Sequence, residues 1–287
     1  MLDRYADAAR HVLGEVAATQ GGALEEAARL VAGSVGAGGV LHLFGAGHSQ
    51  LLALDAYARA GGLACVNPIL DPALSPASGL ELAGVERTEG RAAVILEGED
   101  LQPGEVVLVV SNSGVNAVPV EVALGCRDRG LRVVALTNLE QAKATAPRHP
   151  SGARLHELAD VVIDNRCPAG DAAITLASGD RVAPLTTVVG AAVVTALCAR
   201  AAELLLEQGH RPPVLASQNL DGRPAMRDNA ELMRPYLARV RAHRAAQGGP
   251  AGPQDGASAG PAGNRGDRQA GPAGPRPSAP PGDGGLP

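Results

Sequence analysis

Val106-Val107-Leu108-Val109-Val110-Ser111-Asn112-Ser113-Gly114-Val115-Asn116 is the stretch on which the fold reading turns. An unbroken apolar run rich in valine suits a strand buried on both faces, as in a parallel sheet. The run stops at small polar residues, and the spacing from about Asn116 to Arg129 predicts a helix. Strand, polar turn and helix in that order form the repeating unit of a parallel sheet covered by helices.

The same order recurs outward from this stretch. Val40 to Phe44 is a short apolar strand, followed by Gly45-Ala46-Gly47-His48-Ser49-Gln50 and a helix expected to reach about Ala60. Ala64 to Ile69 is a second strand; Pro68, Pro72 and Pro76 then mark a loop before a helix predicted from about Ser78 to Glu89. Leu131 to Leu136 and Val161 to Ile163 are further strands, the last ending at Asp164. Late helices are expected near 185–207 and 224–243. At the start, residues 2–19 and 22–36 have helical spacing, with Gly21-Gly22 separating two segments and Gly38-Gly39 ending the second. The fold class expected is α/β: a doubly wound parallel sheet with helices on both faces. The divisions expected are N-terminal helices over 1–38, the sheet domain with its C-terminal helices over 39–245, and a tail over 246–287.

Composition narrows the function. The chain has 287 residues with 25 Lys and Arg against 30 Asp and Glu, a formal net charge of −5. Mild acidity with no basic run or aromatic platform argues against nucleic acid as a partner. Trp is absent and Lys143 is the sole lysine. Cys65, Cys126, Cys167 and Cys198 form no CxxC pair and no zinc-like spacing, which suits reduced thiols and a cytoplasmic location. The opening Met1-Leu2-Asp3-Arg4 segment lacks the apolar core of a signal peptide. Leu185 to Ala199 is strongly apolar but, at about 15 residues, too short to cross a bilayer comfortably, so a buried helix and no membrane are expected. Residues 248–287 hold 12 Gly and 9 Pro and almost no large apolar side chain. Such a tail cannot bury enough surface to offset ordering and is expected to be disordered.

Two loops carry the chemistry. In open parallel sheets ligands sit outside the carboxyl ends of the strands, where both loops fall. Gly45-Ala46-Gly47-His48-Ser49-Gln50 is not a dinucleotide fingerprint, because Gln50 stands where a third Gly or Ala is needed, and no lysine follows to make a P-loop. Its glycines, Gly47 among them, let backbone approach a ligand, and Ser49 stands at a helix start that favours an anion. The plain alternative is a turn with a serine cap. In the second loop Ser111, Asn112, Ser113, Gly114 and Asn116 offer hydroxyls, amides and a permissive glycine at another helix start, a donor set for a phosphate that needs no Lys or Arg.

Together, Gly45-Ala46-Gly47-His48-Ser49 after the first strand and Ser111-Asn112-Ser113-Gly114 after a later one resemble the SIS (sugar isomerase) domain family. The resemblance implies a flavodoxin-like sheet, usually dimeric, that binds phosphorylated sugars through the serine loops. It implies Ser49, Ser111 and Ser113 as phosphate ligands; the family usually has Thr two residues after the glycine, where this chain has Asn116. A closer resemblance, to an uncharacterised bacterial branch of the family, rests on Arg59-Ala60-Gly61-Gly62, Asn67-Pro68-Ile69 and Glu86-Arg87-Thr88-Glu89-Gly90. It continues through Pro168-Ala169-Gly170-Asp171-Ala172 and Ser217-Gln218-Asn219-Leu220-Asp221-Gly222. That branch brings no reaction with it.

Isomerising a sugar phosphate needs a base and an acid. Glu86 and Glu89, one turn apart on the predicted helix, are candidate bases; solvated surface carboxylates are the alternative. His48 lies inside the first loop and is a candidate acid. Asp171 follows a strand end and is either catalytic or a helix cap. Asn219 and Asp221 belong to a polar loop in which capping is the stronger reading. His42, on the apolar strand, is expected to be a satisfied core histidine. No metal and no cofactor are expected, and neither serine of the second loop stands in a nucleophile elbow. The leading reading is a cofactor-independent phosphosugar isomerase. Its alternatives are a sugar-phosphate sensor and an amino-sugar-phosphate lyase, etherase or deaminase. A homodimer or higher homo-oligomer is implied by the resemblance.

Overall fold

Alternate side chains of Val106–Val110 go to opposite faces, as a strand covered on both sides requires. In the computed structural model this strand (β3) sends Val106, Leu108 and Val110 into one apolar cluster and Val107 and Val109 into the other. The structure describes residues 1–219 and 229–240. Asp221, the ends of the helix expected over 224–243 and the tail from 246 lie outside the described residues.

Around β3 stand β1 (Leu41–Gly45), β2 (Val66–Ile69), β4 (Arg132–Thr137) and β5 (Val161–Asp164), all parallel, in the order β2-β1-β3-β4-β5. One face carries α1 (Leu2–Gly36), α2 (Gln50–Ala56) and α8 (Thr186–Glu207). The other carries α3 (Leu82–Val85), α4 (Arg91–Glu97), α5 (Ala117–Asp128) and α7 (Leu155–Leu158). The short α6 (Leu139–Ala144) follows β4. The doubly wound α/β sheet is therefore present. A small antiparallel hairpin of β6 (Ala172–Thr175) and β7 (Arg181–Pro184), not anticipated, leads into α8.

Four helical expectations need correction. The first is Gly21-Gly22, which does not interrupt α1: the helix runs unbroken from Leu2 to Gly36. A mid-helix glycine costs about 1 kcal/mol, and the apolar face from Val12 to Val35 packed on α8 outweighs that. The second is the helix over Ser78–Glu89. The chain instead makes a 3-10 stretch over Pro76–Glu81, kinked at Gly79 (φ 60°), then the single turn α3, and starts α4 only after Gly90 (φ 78°). The start of α4 is held from outside. Glu121 accepts from Gly90 N at 2.8 Å, and Arg91 donates to Asp71 at 2.7 and 2.8 Å. Third, α2 ends at Ala56 rather than Ala60, and Ala58 has φ 51°. Where 224–243 was expected to be helical, the described part is α9 (Asn229–Met233) and a 3-10 turn over Arg234–Tyr236.

His42 is the satisfied core histidine expected. Its Nε2 lies 3.0 Å from Glu105 Oε2, and Asn67 Nδ2 lies 3.0 Å from its Nδ1. Arg239 closes on the same carboxylate at 2.8 Å. Burial works against the Glu105 charge, but hydrogen bonds from His42, Arg239 and Gln102 N outweigh it and hold the carboxyl at about 2.

Candidate functional site

Because β1 is flanked by β2 on one side and β3 on the other, the chain leaves β1 and β3 in opposite directions and a crevice opens between their carboxyl ends. Gly45 pairs with Val110, so the two polar loops leave the sheet side by side. The first loop doubles back so tightly that a Cβ on Gly45 would stand 2.4 Å from the Ser49 carbonyl. Gly47 has φ 59°, and a Cβ there would meet Leu82 at 2.9 Å. Ser49 precedes α2, yet its hydroxyl makes no capping bond and has no protein partner among the described residues.

The second loop turns its carbonyls into the protein. Asn112 O accepts from Asn138 N and Thr137 Oγ1, Gly114 O from Leu155 N, and Val115 O from Arg148 N. Ser111 Oγ accepts from Gly114 N at 3.2 Å, which closes the turn around Gly114 (φ 61°). The N–H groups of Asn112, Ser113, Val115, Asn116 and Ala117 have no partner among the described residues. Neither does the Ser113 hydroxyl. Three carbonyls bonded inward with five amides left over is the polarity of an anion-binding concavity. Asn116 precedes α5 without a side-chain capping bond, as Ser49 precedes α2, while Ser111 serves the turn.

His48, Ser49 and Asn112 come together in a narrow cleft, with Asn165, Thr186 and Thr187 completing its polar wall and Leu52, Val110, Leu136 and Gly190 its apolar one. Sequence reasoning missed Asn165, Thr186 and Thr187. Asn165 directly follows the β5 strand end and was findable on that ground; the threonines arrive through the packing of α8 on α2. Side-chain amides set the floor. Asn112 Nδ2 donates to Gln141 at 2.9 Å, Asn165 Nδ2 donates to Asn112 Oδ1 at 2.9 Å, and Asn138 donates onward to Asn165 and to the Cys167 carbonyl. Each amide is thereby held in one orientation.

The acid–base candidates separate. His48 is exposed at the cleft mouth. Glu86 is half-buried, and its carbonyl accepts from Val118 N at 3.1 Å, which seats it against the first turn of α5. Glu89 is exposed beyond α3 and lines none of the cleft; with the predicted helix broken, it does not share a helix face with Glu86. Asp171 (φ 63°) spends its carboxylate at the start of α8, accepting from Leu185 N at 2.8 Å, Thr186 N at 2.7 Å and Thr186 Oγ1 at 2.6 Å. All four cysteines are free; burial pushes Cys65, Cys126 and Cys167 up to about 12 and Cys198 to about 11, so none is poised as a nucleophile. Among the described residues no group of His, Cys, Asp and Glu has the arrangement to hold a metal ion.

Residues 4–138 match the SIS domain. A UPF0309 protein of Caldanaerobacter subterraneus subsp. tengcongensis is 39% identical over 246 residues, covering 84% of this chain and 99% of that one. The chain belongs to the UPF0309 family and carries a SIS domain. A UPF0309 protein of Streptomyces coelicolor is 38% identical over 247 residues, covering 83% of this chain and 95% of that one. Among solved structures, a phosphoheptose isomerase from Francisella tularensis aligns at 16% identity with a TM-score of 0.48, over 70% of this chain and 96% of that one. Both polar loops of this UPF0309 chain fall within the stretch that matches the SIS domain.

Proposed function

We propose that the chain binds a phosphorylated sugar in the crevice between β1 and β3, with the phosphate on the second loop. The observation that carries this reading is the polarity of that loop. The carbonyls of Asn112, Gly114 and Val115 are bonded inward, while several N–H groups and the Ser113 hydroxyl have no partner among the described residues. Phosphate ligands in this reading are Ser111, Asn112, Ser113 and Asn116, with Gly114, its N–H spent on Ser111 Oγ, turning the loop around the anion and Gly47 and Ser49 closing from the first loop. The sugar then lies toward His48, Asn165 and Thr187.

The reaction we assign is an aldose–ketose isomerisation. His48 gives a proton to the ring oxygen and takes one back from the anomeric hydroxyl as the ring opens; Glu86 then takes a proton from the carbon beside the carbonyl while the carbonyl oxygen gains one, and the enediol collapses as the proton returns to the former carbonyl carbon and the neighbouring hydroxyl loses its own. Protons and electrons balance within the substrate, so no cofactor enters. Asp171 holds Thr186 in place at the start of α8, and Glu89 is the weaker candidate base.

A second reading has its own support: among the described residues no carboxylate lines the cleft, which suits a sensor that holds the sugar phosphate without converting it. Thermal-shift measurements with sugar phosphates, each beside its free sugar, followed by NMR for conversion, test both. A rise only with the phosphorylated form is expected. Conversion abolished in Glu86→Gln with binding retained is the isomerase outcome; binding without conversion is the sensor outcome. No shift with any phosphate at millimolar concentration removes both. The chain also acts, in this reading, as a homodimer or larger homo-oligomer. The apolar groove between α1 and α8, lined by Leu13, Ala17, Leu24, Ala192 and Ala196, supports that.

A further inference from the structure

We infer that Arg148 is a phosphate-binding residue of the second loop, seated there by Asn116 and supplying the positive charge that the loop itself lacks. This rests on the phosphate reading above and deepens it.

The start of α5 is short of donors. Val118 N–H is spent on the Glu86 carbonyl at 3.1 Å, and Pro119 has no N–H at all. The remaining amides and hydroxyls are neutral, and a phosphate dianion left without a cation is poorly balanced. Lys143 is exposed on α6 and makes no hydrogen bond to the loop among the described residues.

Arg148 arrives from the segment between α6 and α7, folded back over the loop. Its backbone N donates to Val115 O at 3.0 Å, and its Nη1 donates to Asn116 Oδ1 at 2.5 Å. Two anchors on adjacent residues fix the guanidinium at the lip of the loop. The next residue pins the segment further: His149 lies 3.6 Å from Glu121 and 2.7 Å from the Ser151 hydroxyl. A guanidinium carries only donors, so Asn116 must present its oxygen to Arg148 and turn its NH2 away. That NH2 has no partner among the described residues, although Asn116 is only 7% exposed. The pair thus offers a free amide donor and a cation from one rigid unit.

Arg148 is also unspent. Arg91, Arg132, Arg154, Arg166, Arg200 and Arg239 each sit on a carboxylate. Among the described residues Arg148 has none within ion-pair distance. Its forked, charge-assisted donors match phosphate oxygens, which a lysine would reach only as a point charge.

The test is calorimetric titration of the full chain with inorganic phosphate at low and high salt, on wild type, R148Q, R148K and S113A. Arg148 is exposed, and circular dichroism with melting checks that each variant folds. The expectation is phosphate binding weakened roughly tenfold or more in R148Q, less in R148K, with a flatter salt dependence in R148Q. Equal affinity of R148Q and wild type, with S113A weakened, overturns the role of Arg148 and leaves the phosphate loop standing. A weakening in R148Q with unchanged salt dependence makes Arg148 a structural prop and also overturns it. Absence of phosphate binding by wild type overturns the loop assignment and this inference together.

Discussion

Glu105 shows what a single side chain can hold. Its oxygens take Val40 N at 2.8 Å, Gln102 N at 2.9 Å, His42 at 3.0 Å and Arg239 at 2.8 Å, all in a position only 3% exposed. Its carboxyl, held at about 2 against an ordinary 4.5, contributes stability that is fully present above about pH 4.5 and is lost as the pH falls toward 2. Glu105→Gln should therefore cost roughly 3–5 kcal/mol at pH 7, since it leaves Arg239 and the buried amides without their anion. Urea denaturation at pH 7 and pH 3 checks this: the gap between wild type and variant should shrink at the lower pH. Asp171 is the other residue whose use is now visible. Asp171→Ala removes three bonds from the start of α8 and puts alanine at φ 63°, so a loss of about 2 kcal/mol is expected by thermal melting. Asp171→Asn keeps an acceptor and tolerates that backbone, so it should cost less and leave ligand binding intact.

At the scale of elements, helices departed from expectation where the strands of the parallel sheet did not, the β6–β7 hairpin aside. β3 covers the same residues as its apolar run, because a strand buried on both faces needs nothing more than that run. α1 ignored two adjacent glycines, since its stability comes from the face packed on α8. That leaves Gly21 and Gly22 as avoidable costs. A Cβ on either meets nothing within 4 Å, so Gly21→Ala and Gly22→Ala should each raise stability by about 0.5–1 kcal/mol, read as a higher melting midpoint. The helix expected around Glu86 and Glu89 failed for the opposite reason. Gly79 and Gly90 take left-handed conformations, and contacts from Asp71 and Glu121 start a new helix where the old one was expected to end. Those partners are 20 and 31 residues distant in sequence, beyond the reach of any local pattern.

For the molecule as a whole, the C-terminal part of the described chain is tied to the strand starts through Arg239, which bonds both Glu105 and Asp100. Residues beyond about Gln247 are Gly- and Pro-rich and hold almost no apolar side chain. Ending the chain after Gln247 should leave the melting midpoint and phosphate binding unchanged. Ending it before Arg239 should lower the midpoint by several degrees, in keeping with a partner taken from a buried carboxylate.

Local chemistry was enough to place the five strands of the parallel sheet, the two polar loops at their carboxyl ends, the apolar helix near 185–207 and the buried His42. Apolar runs, turn residues and strand–loop–helix order act over a few neighbouring residues, and the family resemblance was carried by those same short motifs. The cleft was a different matter. Whether Ser49 and Asn116 cap their helices, whether Asp171 serves a helix start, and how Asn165, Thr187 and Arg148 come to the loops all depend on which distant groups arrive as partners. Hydrogen bonds between residues tens of positions apart are chosen when the sheet closes and the helices pack, and that choice left donors free in the second loop.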